Sequence, residues 1–208
     1  MKKYLVEFIG TFFLVFTVGA TVIPPGAGPL APIAIGASLM VMVYAGGHVS
    51  GGHYNPAVTL AVWIRGKCET KDVLPYWVAQ FAAAFVAAWL IGRIKMTGAA
   101  QPMALSGWKP AFLAEFLFTF ALCWVVLNVA TSKGTAGNSF YGAAIGTTVM
   151  IGAFAVGGVS GGAFNPAVAT GISSMGLSFW SNYWVLVGGE VAGSILAATA
   201  YKYVNGSD

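Results

Sequence analysis

Val49-Ser50-Gly51-Gly52-His53-Tyr54-Asn55-Pro56-Ala57-Val58 returns 110 residues later as Val159-Ser160-Gly161-Gly162-Ala163-Phe164-Asn165-Pro166-Ala167-Val168, changed at two positions only. Ser-Gly-Gly reads as a turn and Asn-Pro-Ala as a helix start. The Asn side-chain oxygen accepts a backbone N–H that the first helical turn leaves unpaired. Pro suits the first helical position, where its missing N–H costs nothing. Each start leads into an apolar piece, Asn55 to about Ile64 and Asn165 to about Ser174. At ~1.5 Å per residue such a piece covers ~15 Å, half of the ~30 Å of hydrocarbon in a bilayer. Both pieces read as half-helices reached by irregular backbone. Such backbone is tolerated at membrane depth only inside protein or beside a water-filled cavity.

The rest of the chain puts these pieces in a membrane. Of 208 residues only 8% are charged, against roughly a quarter in soluble domains. The AVILMFWYC set makes up 58%, and the mean hydropathy is +0.79. A soluble fold could not cover its surface with so few charges, which excludes a free-standing cytosolic enzyme. No charged side chain occurs between Glu7 and His48, or between Lys133 and Glu190. Six full spans follow, at roughly 4–23, 31–47, 74–94, 111–130, 139–157 and 182–204. Pro24-Pro25 ends the first, Asp72 and Pro75 open the third, and Lys109-Pro110 opens the fourth. Met1-Lys2-Lys3 before an apolar stretch superficially resembles a signal peptide. No small-residue cleavage site with polar sequence beyond it follows, so the stretch reads as a retained first span.

Several partners are excluded by composition. The net charge of +4 is scattered over short loops, so nucleic acid is not an expected partner. Cys68, Cys123, His48 and His53 show no spacing that suggests a metal site or disulfide framework, so no cofactor is expected. No nucleophile–base pair points to an enzyme.

Self-similarity extends beyond the two boxes. Glu7-Phe8 with Thr11 matches Glu115-Phe116 with Thr119 at an offset of 108. Tyr76-Trp77-Val78 matches Tyr183-Trp184-Val185 at an offset of 107. The repeats cover about 1–97 and 108–204 of a single transmembrane domain, 1–208. Each holds three spans and one half-helix. Three is odd, so the second copy crosses the membrane in the opposite sense. The predicted fold is therefore all-α: six transmembrane helices and two re-entrant half-helices in an inverted repeat. The half-helices enter from opposite faces and point their N-termini at each other near the midplane. Each Asn amide NH2 is left free to donate there, backed by the positive end of a helix dipole. A neutral hydrogen-bond acceptor is welcome at such a point, and a cation is not.

Lys2, Lys3, Arg65, Lys67, Lys71, Lys133 and Lys202 gather on the face of the N-terminus, against Arg93, Lys95 and Lys109 on the other. That asymmetry predicts cytoplasmic N- and C-termini. The short termini and loops suit a plasma (inner) membrane.

With its paired Asn-Pro-Ala boxes and a glutamate in the first span of each half, the chain resembles the aquaporin (major intrinsic protein) family over essentially its whole length. The resemblance implies six tilted helices and two half-helices per subunit, a narrow pore through each subunit, and a homotetramer. It implies passive permeation of water or small uncharged solutes, with Asn55-Pro56-Ala57 and Asn165-Pro166-Ala167 presenting the mid-pore asparagines. It also implies that Glu7 and Glu115 brace the loops carrying the half-helices by accepting their backbone hydrogen bonds. Selectivity in such channels comes from pore width, lining hydrogen-bond groups and positive half-helix ends.

Two positions depart from the family pattern. Most water-selective members carry arginine directly after the second box, where this chain has Val168. By spacing, the other constriction positions fall on Ile35, Ala153 and Gly162. All four are apolar or lack a side chain, which predicts a wide, uncharged filter admitting solutes of the glycerol, urea, ammonia or hydrogen peroxide class besides water. The second departure is Glu190, whose repeat-related residue is Ala83. A carboxyl there needs a partner, a proton or water; an interhelical or intersubunit hydrogen bond is the expectation over a role in the pore.

His48 and His53 flank Ser-Gly-Gly as candidates for the pore mouth. For His48, a packed, hydrogen-bonded loop histidine is expected over a gate. The Tyr-Trp pairs at 76–77 and 183–184 read as interfacial belt residues. Gly188-Gly189 and Ala192-Gly193 read as small residues for close helix packing. The rival reading is a secondary transporter, since inverted repeats and broken helices occur there too.

Overall fold

The computed structural model describes residues 1–95 and 100–206, so the end of the first repeat at 97 lies outside the described residues. The six spans are α1 (Lys2–Val22), α2 (Ala31–Ser50), α4 (Thr70–Ile94), α5 (Trp108–Ala130), α6 (Tyr141–Ser160) and α8 (Tyr183–Asn205). All six are long and apolar enough to cross a membrane. Between them lie the half-helices α3 (Pro56–Ile64) and α7 (Pro166–Ser174). The order span, span, half-helix, span thus occurs twice.

α2 and α6 each run three residues past the predicted ends. They stop at Gly51 (φ 88°) and Gly161 (φ 98°), left-handed positions where glycine escapes the Cβ penalty. The apolar pattern ends sooner than the backbone hydrogen bonding. α4 begins four residues before the predicted 74 and takes Pro75 within its first two turns.

α1 packs on α4, α5 on α8, and α2 on α6. Small residues set these distances. A Cβ on Gly36 would lie 2.6 Å from the Gly146 carbonyl oxygen, so α2 and α6 touch backbone to backbone. A Cβ on Gly189 would lie 2.7 Å from the Phe112 carbonyl, and one on Gly193 would run into the Phe116 carbonyl. The small residues of α8 therefore serve close packing. Outward faces carry Leu5, Phe85, Trp89, Leu117 and Phe154, each more than half exposed, as a lipid-facing surface requires.

Candidate functional site

Both half-helices are capped as their sequence requires. Asn55 Oδ1 accepts from Ala57 N at 2.8 Å and Val58 N at 3.4 Å; Asn165 Oδ1 accepts from Ala167 N at 2.9 Å and Val168 N at 3.4 Å. The amides are not left wholly free, contrary to the expectation above. Asn55 Nδ2 donates to the Phe164 carbonyl at 2.9 Å, and Asn165 Nδ2 donates to the Tyr54 carbonyl at 2.9 Å. Each box thus ties itself to the opposite loop. The NH2 group carries two hydrogens, so one N–H per amide remains for a solute.

Tyr54 and Phe164 turn these carbonyls across by adopting φ of 50° and 49°. Positive φ in bulky residues is strained, and the ring of each is locked by burial. Tyr54 lies against Gly10 and Gly46, with its hydroxyl donating to the Met42 carbonyl at 2.9 Å. Phe164 lies against Gly152 and Phe118.

Glu7 and Glu115, both fully buried, meet the two loops. Glu7 Oε1 accepts from Ser50 Oγ at 2.7 Å and His53 N at 2.9 Å, and Oε2 from Tyr54 N at 2.6 Å and Gln80 Nε2 at 2.8 Å. Glu115 Oε1 accepts from Ser160 Oγ at 2.6 Å and Ala163 N at 3.1 Å, and Oε2 from Phe164 N at 2.6 Å. Gln80 is a residue that sequence reasoning missed. A buried glutamine four residues past Tyr76, inside a span, was the available signal.

One cavity of about 60 Å³ joins the two asparagines to Ile35, Ala153, Gly162, Val168 and His53. A water needs at least ~10–15 Å³ on this measure, so the cavity has room for a short file. Its wall is otherwise apolar, including Leu14, Val18, Leu39 and Val149. His53 also lines a cavity of about 390 Å³ on the face of the termini. That cavity shares Lys67 and Gly51 with a larger one of about 550 Å³, lined also by His48 and Lys133. The narrow space therefore leads into a wide basic mouth.

The two histidines part company. His53 is buried, with Nδ1 3.1 Å from Thr59 Oγ1. Thr59 gives its own hydroxyl proton to the Asn55 carbonyl at 3.0 Å and so can only accept from His53, which assigns the ring proton to Nδ1. His48 is exposed in the last turn of α2, which corrects the expectation of a packed loop histidine; α2 is longer than the apolar pattern.

The belt reading is corrected too. Tyr76 is buried and donates to the Ser50 carbonyl at 2.7 Å, Trp77 Nε1 donates to the Pro56 carbonyl at 3.1 Å, and Tyr183 hydrogen-bonds Thr170 at 2.9 Å. Trp77 and Tyr183 thus hold the half-helices and Tyr76 the end of α2, because buried hydroxyl and indole N–H groups need partners. Only Trp184 of the two pairs is strongly exposed. Glu190 is fully buried, bonds between helices and does not line the cavity.

Comparison with known proteins decides the family. The sequence pattern described as "Major intrinsic protein" matches residues 1–201. The chain belongs to the major intrinsic protein family. It is 38% identical to "Aquaporin NIP1-4" of Oryza sativa subsp. japonica, over 98% of this chain and 77% of the relative. It is 36% identical to "Glycerol uptake facilitator protein-like 6" of Lactiplantibacillus plantarum over the full length of both. In fold it matches the aquaglyceroporin from Plasmodium falciparum with a TM-score of 0.79 at 20% identity, covering 98% of this chain and 96% of that one. As a family member with six spanning helices, the protein is an integral membrane protein.

Proposed function

We infer that the protein is a passive transmembrane channel for water and small uncharged solutes, the whole chain acting as one channel domain. The observation that carries this reading is the meeting of two half-helix N-termini, each with an Asn amide, at one narrow cavity that is apolar apart from them and His53. The two positive helix ends, each worth up to about half an elementary charge, repel cations at that point. The remaining amide N–H groups replace part of the hydration of a neutral solute. Ile35, Ala153, Gly162 and Val168 form a filter without charge, which suits glycerol, urea, ammonia or hydrogen peroxide as well as water. Glu7 and Glu115 hold the loops, and His53 stands where the narrow cavity meets the mouth beside His48.

The secondary-transporter alternative is not favoured. Its midplane site would hold ionisable groups for a driving ion, whereas the cavity presents two asparagines and one histidine hydrogen-bonded to Thr59. Membership in a family whose relatives are named aquaporin and glycerol uptake facilitator supports the channel. The assembly proposed is a homotetramer in a plasma (inner) membrane with both termini cytoplasmic, the orientation resting on the Lys and Arg asymmetry. Stopped-flow light scattering on proteoliposomes tests the function. Fast water and glycerol flux with low activation energy and no ion gradient is expected. Flux that requires an ion gradient would overturn the channel in favour of a transporter.

A further inference from the structure

Glu7 has four donors for its two oxygens, the last of them the Gln80 amide. Glu115 repeats the first three and lacks an amide fourth. At the repeat offset of 107, the place of Gln80 falls to Val187, which has nothing to donate. Glu190, one helical turn further along α8 on the same face, lies beside Glu115 instead: the two carboxyls accept from the consecutive backbone N–H groups of Phe164 and Asn165, and a Cβ on the neighbouring Gly189 would lie 3.1 Å from Glu115 Cβ. Its Oε1 accepts from Asn165 N at 3.0 Å, and its buried Oε2 receives no hydrogen from any described group.

Both carboxyls are fully buried. Ionised carboxyl oxygens only accept, so two carboxyls side by side in the dry interior need a proton between them. Two ionised carboxylates in contact, away from water, repel too strongly to persist, and such pairs hold one proton in common. Glu115 receives three donors that favour its charged form, whereas Glu190 receives one. Glu115 from α5 and Tyr183 on its own helix are the titratable groups acting on Glu190 among the described residues. The half-helices α3 and α7, which also pack on α8, contribute no titratable side chain. Among the described residues, no salt bridge reaches Glu115 or Glu190 to offset a second charge.

We propose that Glu190 is a carboxylic acid whose O–H fills the fourth acceptor site of Glu115 while its carbonyl oxygen holds the Asn165 N–H, making it a positioning residue for the second asparagine box. The proton does in this half what the Gln80 amide does in the other. It is a bound proton with a structural task at the start of α7, and nothing in the pore touches it. The transport part of this inference rests on the channel reading above; the proton itself does not.

Infrared spectroscopy of the purified protein and stopped-flow flux in proteoliposomes test the two parts separately. At neutral pH the wild type is expected to show a protonated-carboxyl C=O band that Glu190→Gln lacks. Glu190→Gln is expected to keep the water flux that Glu190→Leu loses at equal insertion, because an amide can still donate to Glu115 and accept from Asn165. Raising the pH is expected to reduce wild-type flux before that of Glu190→Gln. A wild type without the band, or a band unchanged in Glu190→Gln, overturns the proton assignment. Equal flux in Glu190→Leu and Glu190→Gln overturns the positioning role. A wild type that conducts nothing sinks the channel reading and leaves the infrared result standing on its own.

Discussion

The half from α1 to α4 and the half from α5 to α8 reach one backbone geometry with different side chains. Tyr54 and Phe164 match in φ to within a degree, and the two cross-bonds from the asparagine amides are equal in length. Around them the chemistry diverges. The first half runs a polar chain from His53 through Thr59 and Gln80 to Glu7. In the second half the offset positions are Ala163, Ala169 and Val187, and Glu190 meets the loop at Asn165 N beside Glu115. The ring notches are exchanged as well. Tyr54 uses a glycine of α1, Gly10, whose counterpart is Phe118; Phe164 uses a glycine of α6, Gly152, whose counterpart is Met42. At the membrane faces, Lys3 and Tyr4 grip Asp72 on one side, whereas Trp108 and Trp184 pair at 6.1 Å on the other. The lesson is that the meeting of the two boxes is what both halves preserve, while the means of holding each loop is free to differ.

Five substitutions, in three sets, break or sharpen that comparison. Asn55→Leu and Asn165→Leu are expected to have the largest effect. Each removes a cap worth about 0.5–2 kcal/mol, a mid-pore donor and one of the two cross-bonds. Water flux should fall to the level of empty vesicles for both variants, with normal insertion. Normal flux in either one would remove the asparagines from the mechanism.

Gly10→Ala and Gly152→Ala come next. The added methyl would collide with the Tyr54 ring in the first case, and would lie 2.6 Å from Phe164 in the second. Overpacking of this kind costs about 1–3 kcal/mol, read as a lower melting temperature in detergent. Similar losses are expected because the two notches do the same task. A loss confined to Gly10→Ala would show that the Phe164 ring shifts without cost and that the equivalence is superficial.

Val168→Arg should act mildly, and on selectivity. Val58 and Val168 are identical and equivalent by the repeat, and both line the narrow cavity together with Ile35 and Ala153. A guanidinium there adds five donors and a permanent charge, which must lean on backbone carbonyls because Ile35 and Ala153 offer no acceptor. The ratio of glycerol to water permeability is expected to fall, with proton exclusion nearly unchanged because both helix ends remain. An unchanged ratio with both fluxes intact would place the selectivity filter elsewhere.

Much of the fold was legible in the sequence because each feature was local. Apolar run length separated spans from half-helices, Asn-Pro marked both half-helix starts, and the repeat offset implied inversion. The same spacing named Ile35, Ala153, Gly162 and Val168, which the structure gathers on one cavity. What the tertiary structure alone decided were the partners. Offset arithmetic follows the backbone, but a hydrogen bond depends on where a side chain of given length reaches around a helix. Glu190 therefore reaches the second loop from one turn beyond the place of Gln80, and Ala83, its counterpart by offset, carries no trace of the task. The same reason hid the crossing of each Asn amide to the opposite loop. The contact spans 109 residues from Asn55 to Phe164, and no local pattern encodes the turn of a carbonyl that only packing against Tyr54 and Phe164 holds in place.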